Sequence, residues 1–210
     1  DDINKQLHAM SLGGDDFLTK PINPKHLTST IHNRGRRARS LLALMIRDSL
    51  TGLYNHTHTL YLLETEIAKA SQNGTKLTFA MLDIDFFKKI NDSYGHPIGD
   101  RVLKSLSLFL KQRLRKTDHI GRYGGEEFAI VLPNTSESDA KVILNEIREK
   151  FSELRQPAGD TEFQVTFSCG VASGSNENAQ LICERADNAL YEAKRAGRNT
   201  VRNYREPSNL

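Results

Sequence analysis

The sequence has no tryptophan, and among its 210 residues it holds only two cysteines and six prolines. Cys169 and Cys183 have neither a CxxC spacing nor neighbouring histidines. A disulfide framework and a thiolate metal site are therefore set aside, and two buried free thiols are expected. No run approaches the roughly 18 uninterrupted apolar residues that a membrane span needs. The opening stretch DDINKQLHAM also lacks the apolar centre of a signal peptide. These absences predict a cytoplasmic protein with no membrane partner. There is no internal repeat and no low-complexity tract, so solenoid and disordered classes are excluded as well.

Excess basic charge is confined to the first part of the chain. Residues 1–47 hold eight Lys/Arg against four acids, and the remainder holds 21 against 22. A near-neutral body is a poor nucleic-acid surface, so no nucleic-acid partner is expected. The cluster RGRRAR at 34–39 reads as one solvated face of a connecting helix. The hydrophobic share is 38% with nine phenylalanines, which supplies the core of one α/β domain plus a smaller piece.

Periodicity then divides the chain. LGGDDFLTKPINPKHLTSTI reads as a turn, a short strand ending at Lys20-Pro21, and a helix opened by Asn23 and Pro24. A helical linker follows, with Leu41, Leu44, Met45 and Asp48 at turn spacing, and such a helix could pair with a second copy. From Asp48 onward helical and strand periods alternate. KLTFAMLDID is apolar on both faces and predicts a central strand; FQVTFSCGVAS predicts another strand, and Thr200 to Asn203 a short last one. The predicted order, βααββαβαβ, gives an α/β (α+β) fold: a central, mostly antiparallel sheet flanked by helices.

Acids interrupt this pattern in two places. Period-two alternation puts Asp83 and Asp85 on the face of Leu77, Phe79 and Met81, where a carboxylate needs a cationic partner or a hard divalent ion. In RYGGEEFAIVLP, at 122–133, Gly124 and Gly125 are read as taking the positive φ of a tight turn and as letting a phosphate approach the backbone. Glu126 shares a parity with Phe128, Ile130 and Leu132, which aims it to the buried side. If the two strands are neighbours, Asp83 and Glu126 converge, as carboxylates do in two-metal phosphoryl transfer.

RYGGEEF, together with DSLTGLYN (48–55), LDIDFFKKINDSYGHPIGD (82–100), FSCGVA (167–172) and ADNALYEAKRAGRN (186–199), resembles the GGDEF family of diguanylate cyclases. The resemblance covers about residues 48–203. It implies a ferredoxin-like, palm-type nucleotidyl cyclase domain that joins two GTP molecules into cyclic di-GMP and two pyrophosphates across a homodimer. By similarity Asp83, the main-chain carbonyl of Ile84 and Glu126 hold two Mg²⁺ ions, with Mn²⁺ as an alternative. Glu126 also helps to deprotonate the attacking hydroxyl, and Glu127 is auxiliary. Phe86 and Phe87 would offer backbone N–H groups and Lys88 its ammonium to the phosphates, Asn91 and Asp100 would read guanine, His96 would line the site, and Lys194 and Arg198 would grip the outer phosphates.

RKTD, Arg115 to Asp118, has the form and offset of the family's inhibitory site for the product. Two departures stand out. Glu126 occupies a position where Asp is usual, which keeps the carboxylate, and His56 follows Asn55 where Arg is usual, which puts an ion pair near the linker in doubt. The role of Asp85 stays open between orienting the following turn and binding metal. The segment before the linker resembles the last strand and helix of a response-regulator receiver domain, whose phosphoacceptor aspartate would lie upstream of residue 1. The expected organisation is thus a receiver remnant over 1–34, a helical linker over 35–47 and a cyclase domain over 48–205. A competing expectation is a catalytically weak domain that only binds GTP or cyclic di-GMP.

Overall fold

The computed structural model describes residues 21–174 and 177–206, together with residues 3, 7, 8, 11 and 12. The strand expected at DFLTKP and the lysine expected to end it, Lys20, lie outside the described residues. The chain divides into two compact units, 1–45 and 46–210. In the first, helix α1 (Pro24–Ile46) starts as the sequence predicts: Asn23 Oδ1 accepts from Lys25 N at 2.9 Å, and Pro24 stands at the first helical position. Its Leu41, Leu42, Leu44 and Met45 are exposed.

The second unit is an α+β fold built on one five-stranded sheet. Helix α2 (His56–Asn73) precedes strand β1 (Leu77–Ile84), and helices α3 (Phe87–Tyr94) and α4 (His96–Arg113) follow it. Strands β2 (His119–Arg122) and β3 (Glu127–Pro133) form a hairpin, then come helix α5 (Glu137–Ser152) and strands β4 (Arg155–Ala158), β5 (Thr161–Gln164) and β6 (Phe167–Ser173). Helix α6 (Ala179–Arg195) and strand β7 (Val201–Asn203) complete the unit. The sheet order is β2-β3-β1-β6-β7, antiparallel throughout except for the parallel β6–β7 pair.

β1 is central, and all eight of its residues are buried, as its unbroken apolar run predicts. Alternate side chains enter two cores. Leu77, Phe79 and Met81 meet Leu63 of α2 and Ile182, Ala186 and Leu190 of α6. Ala80, Leu82 and Ile84 meet α3, α4 and α5 through residues such as Phe87, Leu106 and Phe151. Each large side chain buried this way contributes about 1.5–3 kcal/mol of transfer free energy. α6 lies unusually close to the sheet because a Cβ on Gly170 of β6 would stand 2.1 Å from Ala186 O and Leu190 N. That close approach carries the last turn of α6 to the end of β1. Among the described residues no helix is long and apolar enough to cross a membrane.

One expectation is corrected. Residues 163–173 do not form a single strand: β5 pairs with β4 in a separate two-stranded ribbon, and β6 begins afresh at Phe167. Gly159, at φ 62°, and Asp160 supply the two-residue turn of that hairpin. The ribbon packs on the helices, with Phe163 stacked on Tyr94 at 4.4 Å and Gln156 Nε2 bonded to Ser105 Oγ at 3.2 Å.

Candidate active site

The C-terminal end of β1 meets the β2–β3 turn, the start of α3 and the segment after α6. Asp83, 5% exposed, closes the β1 face that packs on α6, and its Oδ2 lies 2.8 Å from Lys194 Nζ. Burial pushes the Asp83 carboxyl above its ordinary range; Lys194 opposes this and the charge of Asp85 adds to it. Directly across the strand pair stands Glu127, not Glu126. β3 begins at Glu127, so Glu126 belongs to the turn, is partly exposed, and is not governed by the parity of Phe128, Ile130 and Leu132. Ile84 N donates to Glu126 O at 3.3 Å and ties that turn to β1. The Glu126 carboxyl is also raised, first by burial and then by the charge of Asp83, with Lys194 opposing. Two mutually repelling carboxyls with one ammonium between them are therefore brought together.

The two glycines work differently from the expectation. Neither Gly124 nor Gly125 has a positive φ. The Glu127 carboxylate lies over Gly124, with Oε2 2.3 Å from where a Cβ would stand. Gly125 is exposed with open space at its Cβ position, and its carbonyl accepts from Arg122 Nη2 at 2.6 Å. Arg122 also binds Asp48 Oδ2 at 3.2 Å, and so joins the DSLT turn to the glycine turn. The sequence reading did not single out Arg122, although it opens the RYGGEEF run. His56 packs edge-on to Tyr123 of the same turn at 4.3 Å. Cys169 is a buried free thiol as expected, whereas Cys183 is only partly buried.

At the start of α3 the two phenylalanines part company. Phe87, 7% exposed, joins the core, while Phe86, 59% exposed, sits in the left-handed region at φ 57°. The Arg198 guanidinium lies 4.5 Å from the centre of the Phe86 ring. Lys88 is exposed in the first helical turn, where backbone N–H groups lack intrahelical partners. Asn91 Oδ1 is buried and unpartnered, one of two such side-chain oxygens among the described residues. It presses on the following helix, because a Cβ on Gly99 would stand 2.0 Å from it. Asp100 and His96 are exposed in the first two turns of α4. Lys194 and Arg198 reach the site from the end of α6.

Asp85 is 4% exposed, and both its oxygens are engaged. Oδ1 accepts from Ser168 Oγ at 2.6 Å; Oδ2 accepts from Thr166 Oγ1 at 2.7 Å and from Asn199 N at 3.0 Å. It is a satisfied structural carboxylate, unlike Asp83. Elsewhere, Arg115 N donates to Asp118 Oδ2 at 2.8 Å and Asp118 N to Arg115 O at 3.1 Å, which holds the RKTD turn. The exposed Arg115 lines a shallow depression there with Arg47, Tyr54 and Lys111.

Among the described residues no three acidic, histidine or cysteine side chains gather as a ready-made metal cluster. The two carboxyls offer hard oxygen donors whose raised proton affinity comes first from burial and then from neighbouring carboxylate charge. That donor set fits a hard divalent cation whose coordination is completed by main-chain and phosphate oxygens.

Residues 45–200 match the family described as diguanylate cyclase, GGDEF domain. The response regulator PleD of Caulobacter vibrioides is 35% identical over 215 aligned positions covering 96% of this chain, which spans 47% of that protein's length. The crystal structure of the coiled coil and GGDEF domain of DgcB from Caulobacter crescentus, in complex with c-di-GMP, is 31% identical with a TM-score of 0.80, over 85% of this chain and 96% of that one. The structure of the active GGEEF domain of a diguanylate cyclase from Vibrio cholerae is 35% identical with a TM-score of 0.68, over 73% and 98% of the two chains.

Proposed function

Since the chain belongs to the GGDEF family of diguanylate cyclases, we propose that it condenses two GTP molecules into cyclic di-GMP and two pyrophosphates. The observation that carries this reading is the paired, proton-hungry carboxyls of Asp83 and Glu126 beside Lys194. Asp83, the Ile84 carbonyl and Glu126 would hold Mg²⁺, or Mn²⁺ in its place. When bound, the ions supply Lewis-acid stabilisation of charge at the α-phosphate and the pyrophosphate.

The chain's own groups do the rest. Glu126 accepts the proton of the 3′-hydroxyl as that oxygen bonds to the α-phosphorus of the other nucleotide and pyrophosphate leaves. Glu127 closes the turn that bears Glu126, its main-chain carbonyl accepting from Tyr123 N at 2.8 Å and Gly124 N at 3.3 Å. Lys88, Lys194, Arg198 and the backbone N–H groups of Phe86 and Phe87 orient the phosphates. Asn91 through its amide and Asp100 through its carboxylate read the guanine edge, and His96 lines that side. Adenine would leave such groups unpaired, at about 1–3 kcal/mol each.

One domain supplies half of the reaction, so the active species is a homodimer, working in the cytoplasm. The cyclase domain spans 48–205, the linker 35–47, and the first 34 residues are the tail of a receiver. The match to a response regulator over 96% of this chain supports that last assignment. Cyclic di-GMP returns as an inhibitor at Arg115 and Asp118.

Incubation with GTP and Mg²⁺ should yield cyclic di-GMP, and Glu126→Gln should not. A wild-type chain that binds GTP without turnover overturns the cyclase reading in favour of a receptor. Arg115→Ala should relieve product inhibition; an unchanged inhibition constant removes that site from the account.

A further inference from the structure

Gly197, Arg198 and Asn199 have φ of 104°, 66° and 45°. Three consecutive residues in the left-handed half of φ space, two of them not glycine, form a backbone that the chain does not adopt unaided. Asp85 meets this turn from below: its Oδ2 accepts the Asn199 N–H at 3.0 Å. The carboxylate is held in turn by Thr166 Oγ1 and Ser168 Oγ, and the Asp85 N–H donates to Thr166 O at 2.9 Å. Two further ties bind the turn, Arg198 N to Ala193 O at 3.2 Å and Arg148 Nη1 to Asn199 Oδ1 at 2.7 Å. The turn's one long cation, Arg198, lies over the ring of Phe86, the residue that follows Asp85 and is itself left-handed. Two strained backbone segments thus face each other across the site, and the buried carboxylate of Asp85 belongs to one and bonds to the other.

We propose that Asp85 is a positioning residue: through the Asn199 N–H it holds the 197–199 turn in its left-handed form and so aims Arg198 at the nucleotide's phosphate chain. The proposal rests on the cyclase reading above and adds to it a duty for the second carboxylate of LDID. Strain stored at a functional site persists only where surrounding bonds over-determine it, and Asp85 supplies the bond that reaches the turn from the sheet. Without it the turn relaxes toward ordinary φ, and Arg198 leaves its place over Phe86.

The test compares the wild-type 210-residue chain with Asp85→Ala, Arg198→Ala and the double variant. Binding of a non-hydrolysable GTP analogue is measured beside that of GMP, whose single phosphate does not reach the outer positions. Asp85→Ala should weaken the analogue by about tenfold and leave GMP within about twofold, as expected for loss of one oriented cation. The same substitution should have no further effect once Arg198 is already alanine, because the two act on one interaction. Equal loss for the analogue and GMP, or additive losses in the double variant, overturns the proposal. Should Asp85→Ala fail to fold, Asp85→Asn is read the same way. It keeps the side chain's shape with weaker acceptance, and about a threefold loss confined to the analogue supports the proposal while an unchanged ratio overturns it. A wild-type chain that binds both nucleotides but makes no cyclic di-GMP would defeat the functional reading alone, since the binding comparison needs no turnover.

Discussion

The two ends of β1 obey different rules. At its start the polar groups are satisfied. Thr78 is fully buried, and its hydroxyl donates to Thr135 O at 2.8 Å. Nearby, Ser136 caps α5 and Ser173 Oγ donates to Glu137 Oε2 at 2.9 Å. At its other end, two carboxyls are raised and an amide oxygen is buried without a partner. The same strand thus carries an end optimised for folding and an end that spends stability. A fold breaks local rules where function requires it, so this contrast locates the chemistry independently of any motif.

The sharpest way to test the contrast is to relieve the costly end. Glu126→Gln removes the charge that Asp83 repels. It should cut cyclic di-GMP formation by about 10³-fold or more, while thermal stability measured without metal holds or rises. A variant that loses stability along with activity would show that the carboxyl pair supports the fold after all. Next in size, Gly99→Ala places a methyl group where Asn91 Oδ1 now sits. The amide must move, and KM for GTP should rise about tenfold with little change in melting temperature. Equal losses in both quantities would make that contact a packing feature. At the satisfied end the prediction reverses: Thr78→Val leaves Thr135 O unpaired, at a cost of about 1–2 kcal/mol, with kcat and KM unchanged.

Much of this contrast is legible in the sequence, and the rest fails for identifiable reasons. The central strand could be read because an apolar run buried on both faces has few other uses. The acids at its end stood out against that run. Register could not be read, because the turn decides whether Glu126 or Glu127 faces Asp83, and strand parity does not extend into a turn. The role of the glycines was misjudged for a related reason. Sequence shows that Gly124 is permissive, but not that the Glu127 carboxylate occupies the space where its Cβ would be. The β4–β5 ribbon hid behind the continuity of residues 163–173, although Gly159-Asp160 marked its turn. The left-handed run at Arg198 and Asn199 is bonded to Asp85 and Arg148, partners 114 and 51 positions away in the chain, and those contacts are not visible in the local sequence.

The smallest expected effect separates the two kinds of carboxylate by pH. Burial would raise Asp48, but the bonds from Thr51 and the charge of Arg122 outweigh it and leave its carboxyl below the ordinary range. A carboxylate lowered in the fold releases its proton more readily there than in the unfolded chain. Its contribution to stability is therefore complete above the unfolded value and fades as pH falls through the folded one. Asp83 and Glu126 are raised and act with the opposite sign: without metal, stability falls as pH climbs from the ordinary carboxylate range through their raised values. Asp48→Asn should cost about 1 kcal/mol at neutral pH and flatten the acid side of the stability profile, while Glu126→Gln flattens the decline that follows it. Chemical denaturation of the metal-free chain between about pH 3 and 7 measures both slopes. If the two substitutions alter the same limb, the carboxylates at the costly end are not distinct in kind from the one that ties the DSLT turn to the glycine turn.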